Sequence, residues 1–318
     1  MKIAFGILSS HISAAAVQQL IDALGPGHFI VIHHDFSKQP DFSVSGEGVH
    51  VIRDPVPTAW GDWSLVEATR RLMRIAMEDE NIDYFQLLSD TCLPIRPVTE
   101  FADFLKTKKP DACIEFVPLE EKFPHALWTH GFRFLAPRDT IFFRILRKTR
   151  TWIIGNHPTS GFQHAGIFFP EICDRRRHVV RRKLGQMIHR LAYRLPGAPH
   201  PFSKRLQCYV GSQWIGCCRR VCEYLLSMDD THPIVGFFKT IYGADEGFFH
   251  TLIGNGTFDH IAPINHFMLW KPWQSGPLEL SEANEAAMIA SGKFFARKFP
   301  KDPNHPMRLK IIRRVGSI

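Results

Sequence analysis

Along the first third of the chain, apolar residues alternate between short continuous runs and a helical spacing. Lys2 to Leu8 is an apolar run of strand length, after which Ala14, Val17, Leu20, Ile21 and Leu24 recur at the interval of one helix face. Gly25-Pro26-Gly27 breaks that helix, and Phe29 to His33 returns as a second strand. A third strand is expected at Val49 to Ile52. Ser64 and Glu67 then have capping-box spacing ahead of Leu65, Ala68, Leu72 and Ile75, and Tyr84 to Leu88 reads as a buried strand. Alternation of this kind predicts an α/β fold, a mostly parallel sheet flanked by helices on both faces, with ligands at the carboxyl ends of its strands. The first candidates are therefore the polar residues that follow strands: His34 and Asp35, then Ser89 and Asp90.

The middle of the chain changes character. Arg133 to Ile154 interleaves basic and bulky apolar residues, and Arg175 to Leu195 carries Val180, Leu184, Met187, Ile188, Leu191 and Leu195 at helical spacing among many arginines. Two readings stand: solvated helices packed on the core, or a surface that lies on anionic lipid or grips a lipid-linked acceptor. No repeat, low-complexity tract or marked linker divides the chain, so residues 1–318 are expected to form one domain with a basic middle region at about 119–206.

Composition narrows this picture only a little. With 45% hydrophobic and 22% charged residues in 318, a sizeable packed core is expected. A formal net charge of +8 favours anionic partners, whether nucleic acid, an acidic membrane or a phosphorylated ligand. Seven cysteines include Cys217, Cys218 and Cys222, read as lying on one helix and lacking paired CxxC spacing. Reduced thiols, an opening segment unlike a signal peptide, and no run near the roughly 18 to 20 apolar residues of a membrane span lead us to expect a cytoplasmic protein, or one peripheral on the inner face of a membrane. Neither a GxGxxG motif nor a P-loop is present, which excludes the common dinucleotide and P-loop chemistries. No Asp-x-Asp follows a strand, so a phosphate group would have to be met by Arg, Lys or helix ends.

The segment YGADEGFFHTL, Tyr242 to Leu252, sets an acidic pair beside two phenylalanines. Asp245 could cap a helix whose apolar side is Phe248, Phe249 and Leu252, with Glu246 in its first turn. Alternatively Glu246 is a catalytic base whose apolar surroundings raise its pKa.

Six blocks, taken together and in order, resemble the core-2/I-branching β-1,6-N-acetylglucosaminyltransferase family, which includes the peptide O-xylosyltransferases. They are HHDFS at His33–Ser37, WGDWSLVEAT at Trp60–Thr69, YFQLLSDTCLPIRP at Tyr84–Pro97, GSQWIG at Gly211–Gly216, ADEGFFHTLI at Ala244–Ile253 and FFARKF at Phe294–Phe299. The resemblance implies a GT-A-like, Rossmann-type fold and inverting transfer of N-acetylglucosamine or xylose from a UDP-sugar to a glycan or lipid-linked acceptor, with no divalent metal and no cofactor. It makes Glu246 the base, with Lys298 on the leaving diphosphate and Arg297 or Lys271 as a second cation. That chemistry is self-consistent: inversion needs one carboxylate on the acceptor hydroxyl, and a metal-free site needs cations on the departing diphosphate.

Further expectations follow the matched blocks. His33 and Asp35 are placed near the nucleoside, while Trp60, Asp62, Ser89, Asp90 and Asp245 are candidates for nucleotide or sugar contact. Gln213 and Trp214 would suit sugar hydroxyls and an apolar sugar face. Where many relatives have Gly and Asp, this chain has Asp90 and Cys92, a departure that bears on the donor side. Trp128 and Arg133 fall near the acceptor-binding region of the family. From other classes stand a nucleic-acid-binding protein, suggested by the Arg-rich run Asp174–Lys183, and a catalytically idle sugar-nucleotide or glycan-binding module; neither an RNP nor a KH pattern accompanies the charge.

Overall fold

The computed structural model describes residues 1–115, 117–122, 140–154, 179–180, 183–184, 187, 199–271 and 276–316. Its first half follows the predicted alternation: β1 (Lys2–Ser9), α1 (Ala14–Leu24), β2 (Phe29–His34), β3 (Val49–Val51), α2 (Trp63–Met77) and β4 (Ile82–Ser89). Short elements follow as β5 (Leu93–Pro94), α3 (Val98–Lys108), β6 (Ala112–Cys113), β7 (Val117–Pro118), β8 (Tyr209–Val210), β9 (Gly216–Cys218), β10 (Ile261–Ala262), β11 (His266–Phe267) and β12 (Phe295–Ala296).

Seven of these strands form one sheet in the order β10-β6-β9-β4-β1-β2-β3. β4, β1, β2 and β3 run parallel, and β9 is antiparallel to both β4 and β6. The chain winds outward from β1 to β3, then crosses back so that β4 lands on the other side of β1. That reversal opens a crevice at the strand ends.

Side-chain alternation on β1 builds a core on each face. Ile3, Phe5 and Ile7 pack with Val17, Leu20, Phe101 and Ile311, whereas Ala4 and Leu8 pack with Val66, Leu72, Phe85 and Phe248. Each fully buried Ile or Phe contributes roughly 2 to 3 kcal/mol, so the strand ends are anchored by two apolar layers and not by their loops. The helix Pro306–Gly316 is pinned on the first of these layers by Arg308, which is fully buried and donates to Gln19 Oε1 at 3.1 Å, to the carbonyl of Pro300 at 3.2 Å and to that of Ala16 at 2.8 Å.

Two sequence expectations are corrected. Asp62, not a Ser64–Glu67 box, caps α2: its Oδ1 accepts from the Ser64 amide at 3.0 Å, while Ser64 Oγ accepts from the Ala59 amide at 3.0 Å and Glu67 pairs with Arg71 at 3.3 Å. The helix starts one residue before Ser64, so Ser64 lies inside it, and a carboxylate cap also suits the helix dipole. Cys217 and Cys218 belong to β9 and only Cys222 to the helix Arg219–Ser227, because the pairing of β9 with β4 and β6 extends the chain there. Cys92, Cys113, Cys208, Cys217, Cys218 and Cys222 are all free thiols.

Candidate active site

A cavity of about 590 Å³ opens where β1 and β4 end. Ser9 and Ser10 enter it from β1, Ser89 and Asp90 from β4, and His33 from β2. The two strand ends are tied together: the Ser10 amide donates to Asp90 Oδ2 at 3.0 Å, and the Asp90 amide donates to the Leu8 carbonyl at 3.0 Å. Burial raises the Asp90 carboxyl, with Arg297 and Lys301 pulling it back down. His33 Nε2 accepts from the Val56 amide at 3.1 Å, which places the ring proton on Nδ1. Burial lowers the His33 pKa to about 4, so the imidazole is neutral at pH 7, and buried Nδ1 has no hydrogen-bond partner among the described residues. Ser89 Oγ sits 3.0 Å from Thr91 Oγ1 and 3.2 Å from Cys92 Sγ.

Cations come from the small sheet of β11, β12 and β5, which delivers Arg297 and Lys298 just after β12. Their backbones are held by the Phe267 carbonyl, which accepts from Arg297 at 3.0 Å, and by that of Leu278, which accepts from Lys298 at 3.3 Å. The Arg297 guanidinium lies 4.1 Å from the centre of the Trp214 ring, a cation-π contact, and its Nε is buried with no partner among the described residues. Burial lowers both cations' pKa values, and for Lys298 the nearby Arg297 lowers it further while Asp90 opposes. Trp214 is 5% exposed within the core and also lines the cavity. Its neighbour Gln213 lines the cavity too, with a buried, unpartnered Nε2 among the described residues.

The acidic pair lies in a single 3₁₀ turn, Ala244–Glu246, entered through Gly243 at φ 80°. Asp245 does not cap the next helix; Gly247 holds that position before Phe248–Gly254. Successive residues of such a turn point about 120° apart, which separates the two acids. Asp245 is buried at 4% exposure, Glu246 is exposed, and both line the cavity. Burial, then the charges of Glu246 and Asp62, lift the Asp245 carboxyl to about 8.

Other candidates are placed differently from expectation. Asp35 is buried and is not among the residues that line the cavity. Its carboxylate accepts from the Ser37 amide at 3.1 Å, Ser37 Oγ at 2.5 Å, the Thr58 amide at 2.7 Å and Thr58 Oγ1 at 2.8 Å, and pairs with Lys38 at 3.2 Å. Burial works against its charge, yet these contacts hold its pKa well below the usual carboxylate range. Asp35 thereby fixes Thr58, which does line the cavity. His34 is likewise structural, with Nδ1 3.0 Å from Ser9 Oγ and its ring stacked on Phe42 at 3.8 Å. Asp62 is spent on the α2 cap. Trp60, about half exposed, stands at the cavity edge-on to Tyr242 at 5.5 Å. Lys271 is exposed beside the cavity-lining Trp270 and is not itself a lining residue. Trp128 and Arg133 lie outside the described residues.

Sequence reasoning missed Glu115, Ser10 and Trp270. The ribbon of β7 and β8, with Val117 opposite Val210, carries Glu115 to Gly211. Gly211 donates its amide to the Glu246 carbonyl at 2.9 Å, and a Cβ at this position would collide with the Glu115 carbonyl oxygen. Glu115, Gly211 and Glu246 are thus interlocked by backbone alone.

The mostly parallel sheet with a polar cavity at its switch point places the protein in the GT-A-like class of α/β enzymes. The Core-2/I-Branching enzyme family matches residues 16–128 and 161–297, well over half of the chain, and the chain belongs to that family. Xylosyltransferase sqv-6 of Caenorhabditis briggsae is 23% identical over 243 residues, 73% of this chain and 24% of that protein. Beta-glucuronosyltransferase GlcAT14A of Arabidopsis thaliana is 27% identical over 100 residues, 30% of this chain and 22% of that protein. The chain spans about a quarter of the length of these curated relatives. The crystal structure of A197 from STIV matches with a TM-score of 0.21 and 13% identity, covering 41% of this chain and 52% of that one.

Gly211→Ala should lower stability by about 2 to 3 kcal/mol, because the added methyl must force the Glu115 backbone away. Urea denaturation reads this directly, and an unchanged midpoint would contradict the close approach.

Proposed function

We propose that the protein is a glycosyltransferase that moves a sugar from a UDP-sugar to an acceptor hydroxyl, with inversion and without a divalent metal. One observation carries this: an exposed carboxylate, Glu246, shares a single cavity at the β1/β4 switch point with two held cations, Arg297 and Lys298. In a single displacement, Glu246 takes the proton of the acceptor hydroxyl as that oxygen bonds to the anomeric carbon. The bond from that carbon to the diphosphate oxygen breaks on the other side, and the diphosphate leaves with the electron pair. Arg297 and Lys298 offset its growing charge in a partly dry site, where a fixed cation counts for more than in water. His33 Nδ1–H and Gln213 Nε2, both buried and unpartnered among the described residues, are donors available to ligand oxygens.

N-acetylglucosamine and xylose both remain within the donor class, and the acceptor is a glycan or lipid-linked glycan. A nucleic-acid partner draws support only from net charge, whereas the family match and the seated cations favour a sugar diphosphate.

A second feature favours a membrane-surface setting. On the helix Ile141–Ile154, Phe143 is 9% exposed, while Ile141, Phe142, Ile145 and Trp152 are 69%, 57%, 55% and 55% exposed. Ile141, Ile145 and Trp152 share one face, with exposed Arg144 and Lys148 along its edge and no acidic residue between 140 and 154. An apolar stripe edged by cations matches the interface of an anionic bilayer. Among the described residues, no helix is long and apolar enough to cross a membrane.

Glu246→Gln should leave donor binding close to wild type while transfer falls by a factor on the order of 100 or more. Product formation by the purified variant measures this, and unaltered turnover would remove Glu246 from the chemistry. Replacing Ile145 and Trp152 together by Ser should weaken binding to vesicles containing phosphatidylglycerol about tenfold or more; equal co-sedimentation of both proteins would exclude this face as the contact.

A further inference from the structure

Asp245 is a buried acid in the cavity to which sugar transfer by Glu246 gives no role. It is 4% exposed yet lines the cavity, and its Oδ1 has no hydrogen-bond partner among the described residues. The charged groups that bear on it are both acids, Glu246 in the same turn and Asp62 at the start of α2. Phe248 and Phe249 on the following helix are fully buried, and His33 across the sheet is neutral. Of the cations in this region, Lys239 pairs with Asp230 at 2.8 Å and sits 5.7 Å over the Trp63 ring, while Arg297 and Lys298 lie within the field of Asp90. The amides of Asp245 and Glu246 favour its charged form, against the stronger effect of burial.

An ionised carboxylate in such a place is costly, but a carboxylic acid is not, and it carries an O–H donor that the ionised form lacks. We propose that Asp245 is a ligand-binding residue that works as a neutral carboxylic acid, donating its O–H to a sugar oxygen of the bound donor. This rests on the glycosyltransferase reading of the same cavity. A neutral group here gives the donor a hydrogen bond without setting another negative charge against its diphosphate. Ionisation reverses both effects at once, and the raised pKa places that change near pH 8, within reach of experiment. Asn at this position is uncharged at every pH and still presents an N–H donor.

The test has a ligand-free arm and a ligand arm, each comparing wild type with Asp245→Asn. An acid whose pKa is raised by folding keeps a proton that the unfolded chain releases above about pH 4, so wild-type stability should fall relative to the Asn variant as pH rises from 5 to 8. Urea midpoints that run parallel across this range would overturn the neutral acid, whatever the protein transfers. In the ligand arm, calorimetry with UDP-N-acetylglucosamine should show wild-type affinity weakening about tenfold from pH 7 to 9.5, a flat profile for Asp245→Asn, and weak binding at all pH values for Asp245→Ala. A flat wild-type profile, an Asn variant as weak as Ala, or no wild-type binding at any pH would overturn the donor role. The first arm still reports on Asp245 if the function assigned to the cavity is wrong.

Discussion

The parallel pairing of β1 between β2 and β4 is the constraint on which the site depends. Because β4 crosses back to the far side of β1, the two strands end side by side with nothing between them, and Ser9, Ser10, Ser89 and Asp90 meet there. Their positions are held by a hydrogen bond in each direction between the strand ends and by two apolar layers beneath. Shifting that register by one residue would turn Ile3, Phe5 and Ile7 into the opposite core and dismantle the cavity with it.

On this frame, charge is distributed by backbone geometry. A lone 3₁₀ turn sends Asp245 inward and Glu246 outward, and Gly211 locks the outward acid through its carbonyl. Arg297 and Lys298 arrive from a separate small sheet, one of them resting on Trp214, so the cations of the site are supported by packing and, among the described residues, not by salt bridges. For the transfer we propose, acid and cations held in this way need little rearrangement when charge moves between substrates, which is the main physical source of catalysis by a preorganised site.

Much of this frame could be read from the chain, because buried parallel strands require apolar runs and covering helices require a 3.6-residue period. The finer features escaped for definable reasons. Ser64–Glu67 and Asp62 are competing caps two residues apart, and only the true helix start at Trp63 decides between them. Asp35 has the sequence context of a ligand-facing acid, but Thr58, 23 residues later, occupies its carboxylate. The adjacency of Asp245 and Glu246 concealed that a tight turn gives them opposite environments. Glu115 follows a two-residue strand too short to carry periodicity, and its place at the cavity is set by pairing with a segment almost a hundred residues away.

We propose that Arg297 and Lys298 receive a diphosphate without help from a metal ion. Calorimetric binding of UDP and of uridine, in EDTA and again with Mn²⁺, tests it most directly. UDP should bind far more tightly than uridine, and equally well in EDTA and with Mn²⁺. Binding of UDP that appears only when Mn²⁺ is added, or UDP no tighter than uridine, would contradict it.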